Sequence, residues 1–401
     1  MKERFMFFNG MKKEYLIIFL IQITEVLGFS LILPFLPFYA QNMGATPLQV
    51  GLILAVFSLF QFVSAPIMGR LSDSYGRKPL LVFSQISTFL SFIILGFANT
   101  LLILFLSRIV DGMLGSNFTI AQAYLSDVST KKDRSVAFGI SGAAFGFGFL
   151  IGPAIGGWLS QFSYSTPAFV AAGLSFLTVI ITLIFLPESI KEKKPVKISL
   201  AVIFDTTPFK KYFSQPKISI KLWEFGAFYL SHVIWASSFA MYAERQLGIG
   251  AVEIGYILAY VGLLSIILRG VLLGKIINLF GERRLLFAGF IFVIIGQIMV
   301  VFVNEIWLFL GIMTLFSFGF GVLRPLLLGS ISKEISSEEQ GTILGLTSSL
   351  GSLAQIIGPL IGGFLIYYSF PGSVGIAAAL VMIVGFALFL EKKQKLIFTL
   401  R

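Results

Sequence analysis

Apolar stretches recur along the whole chain, and each is about as long as the roughly 20 residues that a helix needs to cross a bilayer. The chain has 401 residues, of which only 12% are charged, against roughly 25% in a typical soluble domain. The stretches are continuous, not alternating, which in lipid favours helices over a barrel. Twelve stretches are present, at 15–40, 46–68, 79–98, 101–125, 135–158, 166–186, 220–243, 252–274, 284–303, 305–329, 341–367 and 372–390. They predict an all-α membrane protein with twelve transmembrane helices.

The basic residues are distributed unevenly along the chain. The formal net charge is +11, and most lysines and arginines lie at the two termini or in alternate loops between the apolar stretches. Basic loops mark the cytoplasmic side of a membrane protein. We therefore predict a multi-pass protein of the plasma membrane with both termini in the cytoplasm. The excess charge orients the helices, and no nucleic-acid partner is predicted.

One long hydrophilic segment separates two halves of the chain. We predict an N-terminal six-helix bundle over 1–187, a cytoplasmic linker over 188–217 and a C-terminal six-helix bundle over 218–401. Within the linker, residues 200–213 mix apolar side chains with few charges. They are either a short amphipathic segment on the membrane surface or a plain flexible linker.

The two halves share two sequence landmarks. The segment GRLSDSYGRKP at 69–79 recurs in degraded form as GKIINLFGERR at 274–284, 205 residues later. The segment GPAIGG at 152–157 recurs as GPLIGG at 358–363, 206 residues later. Both halves begin inside and have an even number of helices, so they are parallel repeats, two pseudo-symmetric bundles. A substrate is expected to bind between the halves, near the middle of the membrane.

The hairpin at 69–79 is similar to the signature loop between helices 2 and 3 of the major facilitator superfamily, and the resemblance covers essentially the whole chain. Gly69 and Gly76 allow helices to approach closely and the chain to turn. Asp73 and Arg77 can form charge-assisted bonds to facing helices. In the family this network closes the cytoplasmic side of the transporter, and Asp127 matches its usual partner.

The alternative for this hairpin is a loop needed only for orientation and folding. Its second-half copy has Asn278 in place of the aspartate. We therefore expect any latch in the second half to be weaker.

The fifth predicted helix contains glycines that share one face and a proline that bends the helix. In the superfamily this pattern resembles the signature of proton-coupled antiporters. The alternative is general helix packing, which the copy in helix 11 supports in part. The motif residues are Gly148, Gly152, Pro153, Gly156 and Gly157.

The first predicted helix contains Glu25, nine residues before Pro34. This arrangement is similar to the first helix of tetracycline-type and multidrug efflux proteins. A carboxylate near mid-membrane costs several kcal/mol unless it is paired or protonated, so Glu25 is a candidate carrier of the coupled proton. The alternative is a glutamate that stays protonated and hydrogen-bonded to a neighbouring helix.

The fourth predicted helix contains Arg108 and Asp111 in a segment similar to the family motif L-x-x-x-R-x-x-Q-G. An arginine cannot lose its charge, so Arg108 requires a counter-ion, and Asp111 lies one turn further along the same face. The family usually has glutamine at that position. The glycosylation sequon that begins at Asn117 lies inside this helix.

Further polar residues lie within the apolar stretches of the second half. Arg269 and Arg324 either extend to the membrane surface or face a cavity and offer positive charge to a substrate. His232 is the single histidine of the chain and is expected to pack beside Trp235, although it could relay protons. With Glu25, these four residues are the predicted substrate cavity.

The sequence does not support an enzyme, because no nucleophile, base and orienting group cluster together. No cofactor or metal is predicted. The predicted partners are a small-molecule substrate, protons and membrane lipid, and a monomer is expected. The predicted function is proton-coupled antiport that exports a small drug-like molecule by alternating access. The alternatives are a symporter that imports a nutrient or organic anion, and a non-transporting membrane sensor.

Overall fold

The computed structural model describes residues 13–130, 133–190, 206–336 and 339–398, and within these ranges the regular elements are all helical. Residues 191–205 of the predicted linker lie outside them. The helices are α1 (Lys13–Ile32), α2 (Leu36–Asn42), α3 (Pro47–Tyr75), α4 (Arg77–Gly96), α5 (Leu101–Leu114), α6 (Asn117–Val128), α7 (Arg134–Leu159), α8 (Ser165–Phe185), α9 (Thr207–Phe213), α10 (Pro216–Leu247), α11 (Ala251–Ile267), α12 (Leu273–Phe280), α13 (Glu282–Met299), α14 (Ile306–Ser332), α15 (Gln340–Tyr368) and α16 (Ser373–Phe398).

The prediction of an all-α membrane protein is confirmed. Eleven helical segments in the described part of the chain are long and apolar enough to cross a membrane. The remaining predicted stretch, 220–243, lies within α10, which has 32 residues. At 1.5 Å per residue α10 is about 48 Å long, more than enough to span a bilayer, but polar side chains along it, including Lys221, Glu224 and His232, lower its hydropathy. That α10 is the twelfth span stays a prediction.

Several of the predicted stretches are interrupted. The first is divided between α1 and α2 by a turn at residues 33–35 that includes Pro34. The fourth is divided between α5 and α6 at Gly115 and Ser116. The eighth contains a π-helical segment, Leu268–Leu272, between α11 and α12. Pro34 lies in the first break and Gly115 in the second, and both residue types disfavour helix interiors.

The chain divides into two compact units. The first contains the described residues up to Tyr39 and those from Leu59 to Ile190, and the second contains those from Ala40 to Ser58 and from Thr206 onward. The predicted bundles differ from this division in residues 40–58, which the prediction assigned to the N-terminal half. That assignment stays a prediction.

The two units repeat one packing pattern. In the first, α1 packs against α7 and α8, and α4 packs against α8 and α5. In the second, α10 packs against α15 and α16, and α13 packs against α16 and α14. The helices correspond in order, with α10 in the place of α1 and α15 in the place of α7.

Candidate functional site

Glu25 lies on α1 within the first unit, partly buried, and both of its carboxylate oxygens have partners. The Nδ2 atom of Asn117 donates a hydrogen bond of 2.8 Å to Oε2. The Oγ1 atom of Thr178, on α8, lies 3.0 Å from Oε1 and 2.6 Å from the carbonyl oxygen of Ser175. A carboxyl group with this set of partners can be satisfied in either protonation state, because a hydroxyl both donates and accepts.

The break between α5 and α6 positions Asn117. The backbone N–H of Gly115 donates to the carbonyl oxygen of Asp111 over 2.7 Å, and α6 then begins at Asn117. A Cβ atom at residue 115 would lie 2.6 Å from Oδ1 of Asp111 and 2.8 Å from Oγ1 of Thr88. Such separations are too short for any side chain, so glycine at 115 is required for the two sides of the break to meet.

Hydrogen bonds continue from Asn117 to a buried ion pair. Asn117 donates its second amide proton to Oγ1 of Thr88 over 3.0 Å, and Thr88 donates to Oδ1 of Asp111 over 3.0 Å. Oδ2 of Asp111 lies 3.6 Å from Nη1 of Arg108, and the side chains are only 6% and 4% exposed. Arg108 also donates to the hydroxyls of Ser91 and Ser107. Burial of this kind is tolerable only because each charge has its counter-ion.

The structure thus brings the predicted coupling residues Glu25, Arg108 and Asp111 into one hydrogen-bonded network. Sequence reasoning missed three of its members, Thr88, Asn117 and Thr178. Their only signal was polar side chains inside apolar stretches, which many membrane helices contain. Asn117 was visible as part of a sequon but not as a partner of Glu25.

The predicted gate residues also form a cluster in the first unit. Arg77 pairs with Asp73 at 2.5 Å and, through Nε, with Oδ2 of Asp127 at 2.8 Å. Its Nη1 atom donates to the hydroxyl of Ser72 over 2.5 Å and to the carbonyl oxygen of Gly69 over 3.3 Å. These bonds connect the hairpin between α3 and α4 to the end of α6.

Glu188, which follows the end of α8 and which sequence reasoning missed, also binds this hairpin. Its carboxylate accepts from the backbone N–H groups of Arg77 and Lys78 over 2.9 and 3.2 Å, at the start of α4. A carboxylate there also interacts favourably with the helix dipole. Gly76 has a φ of +110°, and a Cβ atom at that residue would clash with the Glu188 carboxylate. Both observations explain why glycine stands at 76.

The second-half hairpin has the same turn, but the ion pair that corresponds to Arg77 and Asp127 has its charges reversed. Gly281 has a φ of +80°, matching Gly76. In the aligned hairpins Glu282 occupies the position of Arg77, and it pairs with Lys333 at the end of α14, 2.7 Å away. Lys333 is 206 residues after Asp127. The side chains of this pair are 63% and 46% exposed, which favours the predicted weaker latch, since exposed pairs contribute little.

The glycines of α7 allow close packing against α1. Cβ atoms at Gly148, Gly152 and Gly156 would clash with Val26, Ser30 and Leu31 respectively. The hydroxyl of Ser30 donates to the carbonyl oxygen of Gly148 over 2.9 Å.

The second unit repeats this contact between α15 and α10. Cβ atoms at Gly358 and Gly362 would clash with Val233 and Ser238. Packing therefore accounts for these motif glycines in both units. Pro153 lies within α7, and the carbonyl oxygen of Gly157 accepts from the hydroxyl of Ser160 over 2.6 Å.

In the second unit, His232, Arg269 and Arg324 line one pocket, together with Phe228, Tyr229 and Phe320. Trp235 does not line it, because it is 4% exposed and its ring packs against Phe239, Tyr242 and Phe316. Glu25 belongs to the first unit. Among the residues that the structure describes, no group of three or more histidine, aspartate and glutamate side chains could hold a metal ion.

Comparison with known proteins identifies relatives over nearly the whole chain. The sequence pattern of the Major Facilitator Superfamily matches residues 18–359 and 225–397. The chain is 31% identical over 371 residues to the class H tetracycline resistance protein of Pasteurella multocida, covering 90% of each chain. It is 29% identical over 403 residues to Multidrug resistance protein 2 of Bacillus subtilis (strain 168), covering 96% of this chain and 97% of that one.

A solved structure with the same fold is that of the human organic anion transporter MFSD10 (TETRAN). The TM-score is 0.70 at 20% sequence identity, over 94% of this chain and 99% of that one. This likeness concerns the fold alone.

Proposed function

Since the chain belongs to the Major Facilitator Superfamily, we propose that it is a proton-coupled antiporter that exports a small drug-like molecule by alternating access. The observation that carries the proposal is the position of Glu25, a carboxyl group inside a membrane-spanning helix with a partner at each oxygen. The names of the tetracycline and multidrug resistance relatives support a drug-like substrate.

Thr178 allows Glu25 to bind and release a proton without leaving a polar group unsatisfied. When Glu25 is ionised, both Thr178 and Asn117 donate to its oxygens. When Glu25 is protonated, the carboxyl group donates to Oγ1 of Thr178, and the Thr178 hydroxyl turns its own proton to the carbonyl oxygen of Ser175, 2.6 Å away. Both arrangements are fully hydrogen-bonded, and this limits the cost of each state, since an unmade buried hydrogen bond costs about 1–3 kcal/mol.

The Arg108–Asp111 pair supplies fixed charges beside Glu25. Because the two side chains neutralise each other, Glu25 is the member of the network that changes its charge during the cycle. Asn117 and Thr88 connect Glu25 to the ion pair, since Asn117 donates to both Glu25 and Thr88.

In the proposed cycle, Glu25 takes up a proton when the transporter is open outward. After the change to the inward-open state the proton leaves to the cytoplasm, and substrate enters for export. The membrane potential supplies about 2.3 kcal/mol per elementary charge per 100 mV, to which the pH gradient adds.

The cluster around Arg77 is proposed as the gate that closes the cytoplasmic side. Asp73, Asp127 and Glu188 connect the hairpin to the ends of α6 and α8. A set of bonds among several helix ends can be made and broken together, as an alternating-access cycle requires.

We further propose a multi-pass protein of the plasma membrane, monomeric, with both termini in the cytoplasm. The support is the basic character of alternate loops, which includes Lys78, Lys211 and Lys333. Its partners are the exported molecule, protons and lipid.

The second candidate function is a symporter that imports an organic anion. The pocket with Arg269 and Arg324 favours this candidate, because two guanidinium groups attract negative charge.

The direction of coupling distinguishes the two functions. Purified protein in proteoliposomes is given an acidic lumen and neutral exterior, or the reverse, with radiolabelled tetracycline or 1-naphthoate outside. An antiporter accumulates tetracycline when the lumen is acidic, because protons leave as substrate enters. Accumulation of 1-naphthoate with an acidic exterior, and of neither probe with an acidic lumen, would replace antiport by symport.

A further inference from the structure

We propose that the pocket in the second unit is a subsite for the carboxylate of an aromatic organic anion, which deepens and rests on the proposed transport function. Arg269 and Arg324 supply the charge, and Phe228, Tyr229, His232 and Phe320 form the walls. The cavity measures about 60 Å³, which is enough to hold the carboxylate end of a ligand.

The two arginines have no carboxylate partner within ion-pair distance in the described part of the chain. Three acids of this unit pair with lysines instead: Glu282 with Lys333, Glu334 with Lys221 and Glu339 with Lys211. Two like charges at one cavity repel each other, and a bound anion removes that repulsion while accepting hydrogen bonds from both guanidinium groups. A bound anion would therefore compensate the two positive charges of the pocket.

The backbone is irregular at both arginines. Arg269 lies in the π-helical segment Leu268–Leu272, and such segments occur frequently at functional sites. Arg324 precedes Pro325, which lacks an N–H and so leaves the carbonyl group of Gly321 without its helical partner. A Cβ atom at Gly321 would lie 2.6 Å from Leu268 and 3.8 Å from Nε of Arg269. Glycine there allows the two distorted helices to approach, so both arginines reach one cavity.

The walls suit an aromatic ring. The His232 and Phe320 rings are 4.5 Å apart, and the Arg324 guanidinium lies 6.0 Å from the centre of the Tyr229 ring. The Nδ1 atom of His232 is buried and has no hydrogen-bond partner among the described residues. A carboxylate can accept from the guanidinium groups of Arg269 and Arg324, while the attached aryl group contacts the tyrosine and phenylalanine rings that line the cavity.

The test compares binding of two probes that differ only in charge. Radiolabelled 1-naphthoate and its neutral methyl ester are measured by equilibrium dialysis against purified full-length protein at pH 7.5. The proposal predicts that Arg269→Gln and Arg324→Gln each weaken naphthoate binding about ten-fold or more, since a hydrogen bond to a charged group contributes about 1.5–3 kcal/mol. Ester binding should stay unchanged, and Arg324→Lys should lie between Arg324→Gln and the unaltered protein.

Arg284→Gln is the matched control, because Arg284 is exposed on α13 and does not line the pocket. Its binding should equal that of the unaltered protein, and each variant should keep its melting temperature. Equal affinity of the unaltered protein for acid and ester, or full naphthoate binding by Arg269→Gln and Arg324→Gln, would overturn the subsite.

A lipid phosphate presents similar chemistry, so the dialysis is repeated in nanodiscs of neutral lipid with and without phosphatidylglycerol. If a substrate anion occupies the subsite, naphthoate binding is the same in both. Abolition of naphthoate binding by phosphatidylglycerol would assign the pocket to a lipid and overturn the proposal. Because binding is measured without a proton gradient, failure of the antiport proposal would leave this result intact.

Discussion

The side-chain amide of Asn117 donates a hydrogen bond of 2.8 Å to the Oε2 atom of Glu25. It can do so because α6 begins at Asn117, directly after the break at Gly115 and Ser116. A helix break and an acid on another helix thus form one site, and this site is the basis of the proton-coupling account.

Thr178 is predicted to be required for coupling. Thr178→Val keeps the shape of the side chain but removes the hydroxyl that both protonation states of Glu25 use. We expect pH-driven transport in proteoliposomes to fall about ten-fold, the effect of about 1.4 kcal/mol. Thr178→Ser should retain most of it. Thr182→Val, one turn further along α8, is the control, because the buried Thr182 hydroxyl has no described hydrogen-bond partner. An equal loss in both valine variants would contradict the role of Thr178.

The two aspartates of the proposed gate are predicted to differ in how much they stabilise the protein. Asp127 is 28% exposed and Asp73 is 45% exposed, and both pair with the same guanidinium of Arg77. Asp127→Asn should lower the free energy of unfolding by about 1–3 kcal/mol, as expected for the loss of a partly buried charged hydrogen bond. Asp73→Asn should cost less than about 1 kcal/mol. Thermal unfolding in detergent checks the order, and a double-mutant cycle with Arg77→Gln should be non-additive for Asp127. A larger stability loss for Asp73→Asn than for Asp127→Asn, or an additive cycle, would contradict the coupling of Asp127 to Arg77.

The ion pair between Glu282 and Lys333 in the second half can be tested by swapping its charges. Glu282→Lys places two positive charges together at Lys333, and Lys333→Glu places two negative charges together. We expect each single variant to lower transport modestly and the double variant, which restores a pair, to recover it. Because both side chains are exposed, the effects should shrink in 0.5 M salt. A double variant no better than the worse single variant would show that the pair plays no part.

The packing of α7 on α1 is predicted to distinguish two glycines. An alanine at 156 would clash with the backbone of Leu31, whereas one at 152 would clash mainly with the rotatable side chain of Ser30. Gly156→Ala should therefore lower stability by about 1–3 kcal/mol, and Gly152→Ala should be rescued by Ser30→Gly. Gly173→Ala is the control, since nothing lies within 4 Å of its Cβ position. Melting temperatures check the series, and a fully stable Gly156→Ala variant would contradict the close approach of α7 to α1.

The sequence predicts the helical membrane fold and the repeat because both depend on residue type at a fixed spacing, whereas the gate is implied by the family resemblance of the hairpin and stays a prediction. Apolar length predicts the helices, and the copied hairpin predicts the matching turns at Gly76 and Gly281. Arg108 and Asp111 are adjacent on one helix face, so their pairing follows from helix geometry alone.

The partners of Glu25 could not be predicted in this way. Thr178 and Asn117 approach it from other helices, and the distance along the chain does not reveal which polar residues face each other. The break at Gly115 was also missed, because glycine is common inside membrane helices. Trp235 and His232 lie one turn apart on the same side of α10, against Phe316 and Phe320 of α14, and only His232 lines the pocket.

The most direct test of the account is the transport cycle of Glu25→Gln. Glutamine keeps the size of the side chain and the uncharged state but cannot release a proton. In proteoliposomes, tetracycline accumulation driven by an acidic lumen should be lost, while exchange of labelled for unlabelled tetracycline without a gradient should persist, because exchange requires no proton release. Accumulation at the unaltered rate in Glu25→Gln would contradict the account and place the coupling residue elsewhere.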